Sequence, residues 1–345
     1  MLTPWQHILH DTSAHWQDGM LSHFSSPAED ARLALDGDSI APLPGIAVIE
    51  ATGADVKAFL QGQVSNDIST LAESGSQLAA YCNPKGRMLA LFRIMRREDH
   101  YFLLLPAELL ESTLKRLRMF VMRSKVTFTD VSDRWAVLGC SGSKSLAALA
   151  EQGFTLTEAD AGSWQADAGA WRLPDEQPRA LLVATTERMQ QIWSAFSELQ
   201  AVGEMAWRLL DIRAGLPEIR SGAVESIIPQ MANLDLINGI SFTKGCYPGQ
   251  EIIARMHYLG NLKRRMYRLV ISTTDTPAPG SDVHTAEGAR AGEIVMAAPS
   301  LDGTSEALAI LQIERAQTAE LEVSGHGAAV HRPAYLTDEQ DEEKT

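Results

Sequence analysis

The segment with the most chemically active residue types is Lys244–Glu251, which reads Lys-Gly-Cys-Tyr-Pro-Gly-Gln-Glu. Its glycines and proline favour a tight loop whose backbone N–H groups can face a ligand. Cys246 lies two residues after Lys244 and just before a helix-like run, and both features favour the reactive thiolate form of a cysteine. Most free cysteines are small buried hydrophobes instead. The flanking lysine and glycines favour function here, so Cys246 and Lys244 are the candidate catalytic residues.

A local basic stretch surrounds this segment in an otherwise acidic chain. The 345 residues include 30 Lys and Arg against 44 Asp and Glu, a formal net charge of −14. A field of that sign repels nucleic acid and anionic membranes. From position 240 to position 270, however, six basic residues stand against one acidic residue. This pattern is typical of a site for a polyanionic small molecule, or of a solvated basic strand edge. We favour the site for Lys244 and leave both interpretations open for residues 263–268.

The second candidate segment is residues 59–67, which read Phe-Leu-Gln-Gly-Gln-Val-Ser-Asn-Asp. Gln61, Asn66 and Asp67 could present amide groups and a carboxylate to a heterocycle such as a pterin. The alternative is local: Gly62 would cap a helix, and Asn66 and Asp67 would form an Asx-turn.

A turn between two apolar runs adds two more candidate residues. Asn83-Pro84-Lys85-Gly86 has the residue types of a type I turn, with proline at its second position and glycine at its fourth. Lys85 and Arg87 at this tip are either solvated turn residues or ligand contacts.

The pattern of strands and helices that must position these residues predicts an α+β body followed by a small β-barrel. Hydrophobic residues make up 45% and charged residues 21% of the chain, which is ordinary for a globular protein and excludes a disordered or fibrous one. Strands and helices alternate up to about position 262, and short strands separated by turn residues follow. We expect a helical segment at 1–40, the body at 41–262, the barrel at 263–336 and a solvated acidic tail at 337–345.

Two local expectations accompany this division of the chain. The apolar spacing of Trp5, Ile8 and Leu9, continued by Trp16 and Met20, predicts helix in the N-terminal segment. Residues 154–170 are acidic and low in periodicity, and they predict a region of loops.

Several classes of protein are excluded by what the sequence lacks. Three scattered cysteines without a CxxC pair disfavour a zinc ribbon or an iron–sulfur cluster held by this chain alone, and we expect no metal site. The common nucleotide, zinc-protease and serine-hydrolase motifs are absent. The odd cysteine count, the lack of a signal-like N-terminus and the lack of a long apolar run predict a cytoplasmic protein without a membrane segment.

The segment Lys-Gly-Cys-Tyr-Pro-Gly-Gln-Glu, with Arg255 four residues on, resembles the signature of the YgfZ family of folate-binding proteins. Mitochondrial relatives of that family serve the maturation of iron–sulfur proteins. Four further segments agree with the resemblance, in chain order: FLQGQVSND at 59–67, AAYCNPKGR at 79–87, AGLPEI at 214–219 and IPQMANLDLINGISF at 228–242.

The resemblance implies both a fold and a ligand. The family is similar to the T-protein of the glycine cleavage system, so it implies a folate-binding α+β body of two subdomains with a C-terminal small β-barrel. Gln61, Asn66 and Asp67 would contact the pterin of tetrahydrofolate, or of a one-carbon derivative, and Lys244 with nearby arginines would meet its glutamate tail. The other residues that would line the folate site are Lys85, Arg87, Gln230, Asn233, Tyr247, Gln250, Glu251 and Arg255.

The function implied is assistance in assembling or repairing iron–sulfur clusters in client enzymes. One such client would be a radical-type enzyme that methylthiolates tRNA, which makes the role in tRNA modification indirect and requires no contact with nucleic acid. Cys246 would be the chemically active group, toward a one-carbon adduct or toward the sulfur or iron of a cluster.

One departure from the T-protein pattern bears on enzyme activity. T-proteins follow the equivalent turn with Gly-Gly-x-x-Asp-Asp, whereas Ala90 and Leu91 stand at the two aspartate positions here. Two apolar residues cannot hold a proton or orient an amine, so aminomethyl transfer is not expected. The alternatives are a folate-dependent aminomethyltransferase or demethylase, and a non-catalytic adaptor whose folate is structural; enzyme status stays open between these alternatives.

Overall fold

The computed structural model describes residues 3–10, 12–17 and 19–337. Helices and strands alternate through most of this range, with short 3-10 turns at Ala107–Leu109, Ser221–Ala223 and Pro229–Ala232. The helices are α1 (Pro4–Ile8), α2 (Pro27–Asp36), α3 (Val56–Gln61), α4 (Leu110–Val121), α5 (Ser143–Glu151), α6 (Thr186–Ala195), α7 (Glu204–Ala214), α8 (Gln250–Leu259) and α9 (Ile313–Thr318).

The strands of the body are β1 (His15–Gln17), β2 (Met20–His23), β3 (Ser39–Pro42), β4 (Ile46–Thr52), β5 (Ser76–Cys82), β6 (Met88–Arg97), β7 (His100–Pro106), β8 (Thr127–Asp130), β9 (Trp135–Ser141), β10 (Gly162–Trp164), β11 (Ala168–Arg172), β12 (Arg179–Thr185) and β13 (Gln200–Ala201). The later strands are β14 (Arg264–Ile271), β15 (Asp282–Thr285), β16 (Arg290–Pro299), β17 (Ser305–Gln312), β18 (Leu321–Val323) and β19 (His326–His331).

The chain forms two compact units. The first unit contains Met1–Lys57, Thr70–Gln77 and Arg93–Leu210. The second unit contains Ala58–Ser69, Leu78–Phe92 and Asp211–Thr345. The chain therefore passes between the units several times, including within β5 and β6.

Most of a five-stranded sheet in the order β5–β6–β7–β4–β8 lies in the first unit. The same unit contains a six-stranded sheet in the order β10–β11–β12–β9–β3–β13, antiparallel except where β13 meets β3. Both faces of this sheet are buried. Leu138 on β9 packs in the cluster that includes Leu149 of α5 and Ile192 of α6. The next residue back, Val137, points to the opposite face and packs in the cluster that includes Trp207 of α7. Successive side chains of a strand alternate between its two faces, which explains why one short strand supplies both cores.

The prediction of a helix that runs on to Trp16 and Met20 is wrong beyond the first turn. α1 ends at Ile8, and Trp16 and Met20 lie on the antiparallel strands β1 and β2, where Trp16 pairs with Leu21. Gly19, with a φ of +80°, supplies the left-handed conformation that lets the chain reverse between these strands. The apolar residues fit a helical spacing by coincidence, because a short hairpin interrupts it.

The loop region expected at 154–170 is wrong in its second half. β10 and the start of β11 lie there and pair with each other. Gly169 has no room for a side chain, because a Cβ there would lie 2.4 Å from the ring of Trp171 and 2.6 Å from the ring of Trp164. Glycines that make space for two packed indoles hid the alternation by which strands are recognised.

The second unit contains the closed barrel β14–β17–β16–β15–β18–β19. Tyr267, Leu269 and Ile271 alternate along β14 and point into its buried core. The α+β class and the C-terminal barrel predicted from the sequence are both confirmed. The sequence patterns missed β15, which has four residues, and α9, which follows β17 without a break.

The proposed domain boundaries stay predictions, and the acidic stretch 338–345 lies outside the described residues. Within the part of the chain that the structure describes, no helix is both long enough and apolar enough to cross a bilayer.

Candidate functional site

Lys244 joins the two segments that the sequence singled out. Its ammonium group donates hydrogen bonds to the backbone carbonyls of Val64 and Asn66, each at 2.6 Å. The same nitrogen lies 5.2 Å from the centre of the Tyr247 ring. Residues about 180 positions apart in the chain therefore meet at one buried cation within the second unit.

The environment of Lys244 is unusual for a lysine, because its side chain is only 7% exposed. Burial lowers the pKa of Lys244 to about 8, and the negative charge of Asp67 opposes that shift in part. An ammonium carries three N–H donors, so the two carbonyl bonds leave one. Lys244 can thus bind an acceptor, and its proton is less tightly held than that of a solvated lysine.

The side chains of the 59–67 segment are largely bonded to one another. Gln61 donates to Oδ1 of Asp67 at 3.0 Å and accepts from the backbone of Ile68 at 2.7 Å. Asp67 also accepts from the hydroxyl and the backbone N–H of Ser69, at 2.6 and 2.8 Å. The hydroxyl bond lowers the pKa of Asp67, while burial works against it. The Asx-turn alternative is therefore present, and the same bonds shape the loop whose carbonyls hold Lys244.

Asn66 is fixed by both hydrogens of its amide. Nδ2 donates to the carbonyls of Leu78 at 2.8 Å and of Asn238 at 2.6 Å, while Oδ1 accepts from the backbone of Asp67. A ligand could reach only the remaining acceptor capacity of Oδ1, so the main contribution of Asn66 in this structure is to hold the loop.

The turn at residues 83–86 is organised by Asn83. Its Oδ1 accepts from the backbones of Lys85 and Arg87, at 2.9 and 3.1 Å, and its amide donates to Glu225 at 2.8 Å. Arg87 donates to the carbonyl of Ser226, and Lys85 is exposed. Arg87 is thus held against Ser226, whereas Lys85 can meet solvent or a ligand.

Two glycines allow this turn to pack directly on the signature segment. A Cβ on Gly249 would lie 2.6 Å from the carbonyl oxygen of Asn83 and from Cα of Gly86. Gly249 also has a φ of +83°, at the residue that caps α8. Only glycine satisfies both conditions, so the backbone of the turn and the start of α8 are in contact.

Gln230 and Asn233 are both buried but differ in their unused hydrogen-bonding capacity. Asn233 donates to the carbonyl of Met266 at 2.9 Å and accepts from Arg265 at 3.3 Å, which ties it to β14. Gln230 is 2% exposed and donates to the carbonyl of Ile253 at 2.6 Å. Its Oε1 has no hydrogen-bond partner among the described residues. Buried acceptors are rarely left unpaired, so Gln230 is the one of the two that can accept from a ligand.

The remaining candidates lie on or next to α8. Gln250 donates to the carbonyl of Lys244 at 3.4 Å, and Tyr247 is buried, which raises its pKa. Glu251 and Arg255 are exposed one helical turn apart on α8.

The three cysteines differ sharply in exposure. Cys246 is exposed, whereas Cys82 and Cys140 are buried. Burial raises the pKa of the Cys82 thiol to about 12 and raises that of Cys140 as well. Cys246 is therefore the thiol that a reactant can reach.

Sequence reasoning missed Ser65, which connects segments of the candidate site. Its fully buried hydroxyl donates to the carbonyl of Gly239 at 2.7 Å and accepts from the backbone of Ala80 at 2.8 Å. Ser65 thereby links three separate stretches of chain. The signal available was its position inside the 59–67 block, where the amide and acid side chains drew attention first.

Comparison with known proteins identifies the fold. The aminomethyltransferase T of the glycine cleavage system from Bartonella henselae superposes with a TM-score of 0.80 at 15% identity, over 97% of each chain. The family model GCVT N-terminal domain matches residues 41–167, and the model CAF17, C-terminal beta-barrel domain matches residues 263–338. The chain is thus a protein of the aminomethyltransferase T fold with a C-terminal barrel of the CAF17 type.

Sequence similarity gives the family. A protein named tRNA-modifying protein YgfZ from Yersinia enterocolitica (serotype O:8 / biotype 1B) is 35% identical over 291 residues, covering 82% of this chain and 87% of the relative. The protein of the same name from Yersinia pseudotuberculosis (serotype O:1b) is 35% identical over 284 residues, covering 80% and 85%. The chain belongs to the YgfZ family, as the motifs predicted.

Proposed function

We propose that this protein binds tetrahydrofolate and assists the assembly or repair of iron–sulfur clusters in client enzymes, and that it supports tRNA methylthiolation through one such client. The observation that carries the proposal is the junction at Lys244, where the signature segment and the 59–67 segment meet at a buried cation. The relatives are named tRNA-modifying proteins, and the fold is that of the aminomethyltransferase T of the glycine cleavage system. The role in tRNA modification is indirect, because the −14 charge opposes contact with the tRNA backbone. We place the protein in the cytoplasm.

Two unused hydrogen-bonding groups among the candidate residues support a reduced pterin as the ligand. A pterin ring carries several N–H donors, and Oε1 of Gln230 is a buried acceptor with no partner among the described residues. The third N–H of Lys244 is a donor for a ring or carbonyl oxygen. A donor and an acceptor of these kinds are the orienting contacts that a small-molecule site needs, and we propose that both groups face the ligand.

The residues divide by what the structure leaves them free to do. Gln61, Asn66 and Asp67 hold the loop against Lys244 and would present its edge to the pterin. Lys85, Arg87 and Arg255 would meet the carboxylates of the glutamate tail through charge-assisted bonds. Asn233 would support the site through its bonds to β14, and Tyr247, Gln250 and Glu251 would support it from α8 and the residues just before it. Tetrahydrofolate, when bound, would supply a carrier for a one-carbon unit.

Cys246 is proposed as the reactive group. Its thiol is exposed and lies two residues from the buried ammonium of Lys244. Ala90 and Leu91, at the positions of the T-protein aspartates, are buried and apolar. No proton can be held at those two positions, which argues against aminomethyl transfer.

Complementation of a deletion strain tests the proposal with two readouts. Methylthiolated tRNA nucleosides are quantified in cells that carry each variant, and tetrahydrofolate binding is measured on the purified full chain. Cys246→Ser should bind folate like the wild type but lose methylthiolation. Lys244→Met should lose both, whereas Gly245→Ala, at an open position, should keep both.

The alternatives give different results. Full methylthiolation by Cys246→Ser would support a non-catalytic adaptor instead. Release of ammonia from the aminomethyl intermediate of the glycine cleavage reaction would restore the transferase alternative. Failure of the wild-type chain to bind tetrahydrofolate would remove the ligand from the proposal.

A further inference from the structure

Three large apolar side chains are exposed where α4 ends in the first unit. Met119 is 68% exposed, Phe120 44% and Met122 87%. The opposite face of α4 is anchored by the buried Leu114 and Leu117. Elsewhere in the described ranges, large apolar side chains reach this exposure only on α8. Contiguous exposed apolar side chains of this kind often mark a surface that contacts another molecule.

A basic rim surrounds these side chains. Lys115, Arg118, Arg123 and Lys125 are exposed, and the guanidinium of Arg116 lies 5.7 Å from the centre of the Phe120 ring. Between positions 110 and 125 these five basic residues are accompanied by a single acidic residue, Glu111. We name residues 115–125 the α4 tip. It is strongly positive although the chain as a whole carries −14.

The α4 tip is held in place by the fold. The backbone of Lys125 donates to the carboxylate of Asp55 at 2.7 Å and accepts from the backbone of Asp55 at 3.3 Å. Met122 has a φ of +44°, a conformation that disfavours a residue with a side chain. Backbone strain of this kind persists only where the surrounding structure imposes it, and it is concentrated at functional sites. The exposure of Met122 is therefore a property of the folded unit.

The composition of the α4 tip selects among possible occupants. Methionine, aromatic residues and arginine are the types enriched at protein–protein interfaces. A phosphate backbone would pair with the arginines but would leave the two methionines in water. A second copy docked symmetrically would place the same arginines against one another. We propose that the α4 tip docks a different protein, through a surface of that protein where acidic residues surround an apolar spot.

Photocrosslinking in cells tests this proposal on the full chain. Phe120 is replaced by p-benzoylphenylalanine, and the same probe at His326, an exposed residue of the barrel, serves as the control. The expected product is an adduct with another protein, specific to position 120, whose crosslinked peptide is rich in Asp and Glu. Reversing the rim with Lys115→Glu and Arg123→Glu should lower the adduct yield by about tenfold, because like charges across an interface repel.

A second pair of reversals controls for the change in net charge. Lys144→Glu and Arg134→Glu alter two exposed basic residues of the same unit outside the α4 tip and should leave the adduct yield unchanged. An unchanged thermal unfolding midpoint shows that each variant is folded. A nuclease-sensitive adduct, a lipid adduct, an adduct with this chain itself, an adduct equally strong at position 326, or no adduct would overturn the proposal.

Discussion

The second unit contains two buried charges that differ in their partners: Glu306 in the barrel and Lys244 in the candidate site. Glu306 is 2% exposed and accepts hydrogen bonds from Arg213 at 2.7 Å, from Arg268 at 2.8 Å and from Ser300 at 2.8 Å. Lys244 is bonded to two neutral carbonyl groups. The hydrogen bonds of Glu306 include two from positively charged groups, whereas those of Lys244 go only to carbonyl dipoles.

The difference is visible in how each group holds its proton. Burial by itself would raise the pKa of Glu306, but the bonds and charges of Arg213, with Ser300 and Arg268, bring it below the ordinary value. Burial lowers the pKa of Lys244 to about 8 because the charge of Asp67 compensates only in part. Glu306 is fixed in its charged form and ties α7, β14 and β17 together. Lys244 has a pKa of about 8 instead of 10.5, and perturbed pKa values of this kind cluster at functional sites.

The largest effect is expected from Glu306→Gln, which leaves two arginines without their carboxylate. Breaking a buried ion pair costs about 3 kcal/mol, and urea unfolding followed by circular dichroism measures the loss. The contribution of a carboxyl group with a lowered pKa is present above the pKa of the unfolded chain. It is lost as the pH falls through the folded value. The gap between wild type and variant should therefore close in acid.

Asp282→Asn is the matched control for Glu306→Gln. It removes an ion pair with Arg290 whose members are nearly half exposed, so it should cost less than about 1 kcal/mol. Equal losses for the two variants would contradict the contrast between a buried and an exposed carboxylate.

The next effect concerns the glycine that packs the turn on the signature segment. Gly249→Ala places a Cβ 2.6 Å from the carbonyl oxygen of Asn83 in a conformation with φ of +83°, so it should cost about 2 kcal/mol of stability. Tetrahydrofolate should also bind about tenfold more weakly, which corresponds to a loss of about 1.4 kcal/mol in the free energy of binding. Gly245→Ala, where nothing lies within 4 Å of the new Cβ, should change neither. Similar behaviour of the two variants would show that the close contact has no role.

The pH dependence of stability should separate Lys244 from an ordinary lysine. The pKa of Lys244 falls from its ordinary 10.5 to about 8 in the folded chain, so the unfolded chain binds more protons between those two pH values. The wild type should therefore gain stability relative to Lys244→Met as the pH rises through that window, by roughly 1 kcal/mol per pH unit at most. A constant difference across the window would mean that Lys244 titrates like a solvated lysine.

The smallest effect on stability is expected at Cys246, because surface substitutions usually change it by less than about 0.5 kcal/mol. Its reactivity should nevertheless stand out. In the native protein a thiol reagent such as dithionitrobenzoate should modify Cys246 quickly and leave the buried Cys82 and Cys140 unmodified. Cys246→Ser should abolish the fast phase. A fast phase that survives this substitution would show that a buried thiol is accessible.

The parts of the fold that the sequence predicted are those with strong local patterns. The turn at residues 83–86 and the alternating strands of the barrel follow from residue types within a few positions. The hairpin at Trp16 and Met20 could not be predicted in this way, because the apolar residues of two very short strands mimicked a helical spacing. Gly169 hid a strand for a tertiary reason, namely the space that two indole rings require.

The candidate site shows the same limit. The spacing of residues identified Lys244 and Asn66 separately, but no local pattern showed that the lysine binds the carbonyl group of the asparagine. The contact between Gly249 and Gly86 and the central position of Ser65 are likewise long-range features. Hydrogen bonds to backbone carbonyls carry little sequence signature, since every residue has one.

Titration calorimetry of tetrahydrofolate into the full chain tests the central claim most directly. The wild type and Gly245→Ala should bind one equivalent with the same affinity, and Lys244→Met should bind at least about tenfold more weakly. Equal affinity of Lys244→Met and the wild type would contradict the site at Lys244, and the absence of binding to the wild type would contradict the ligand.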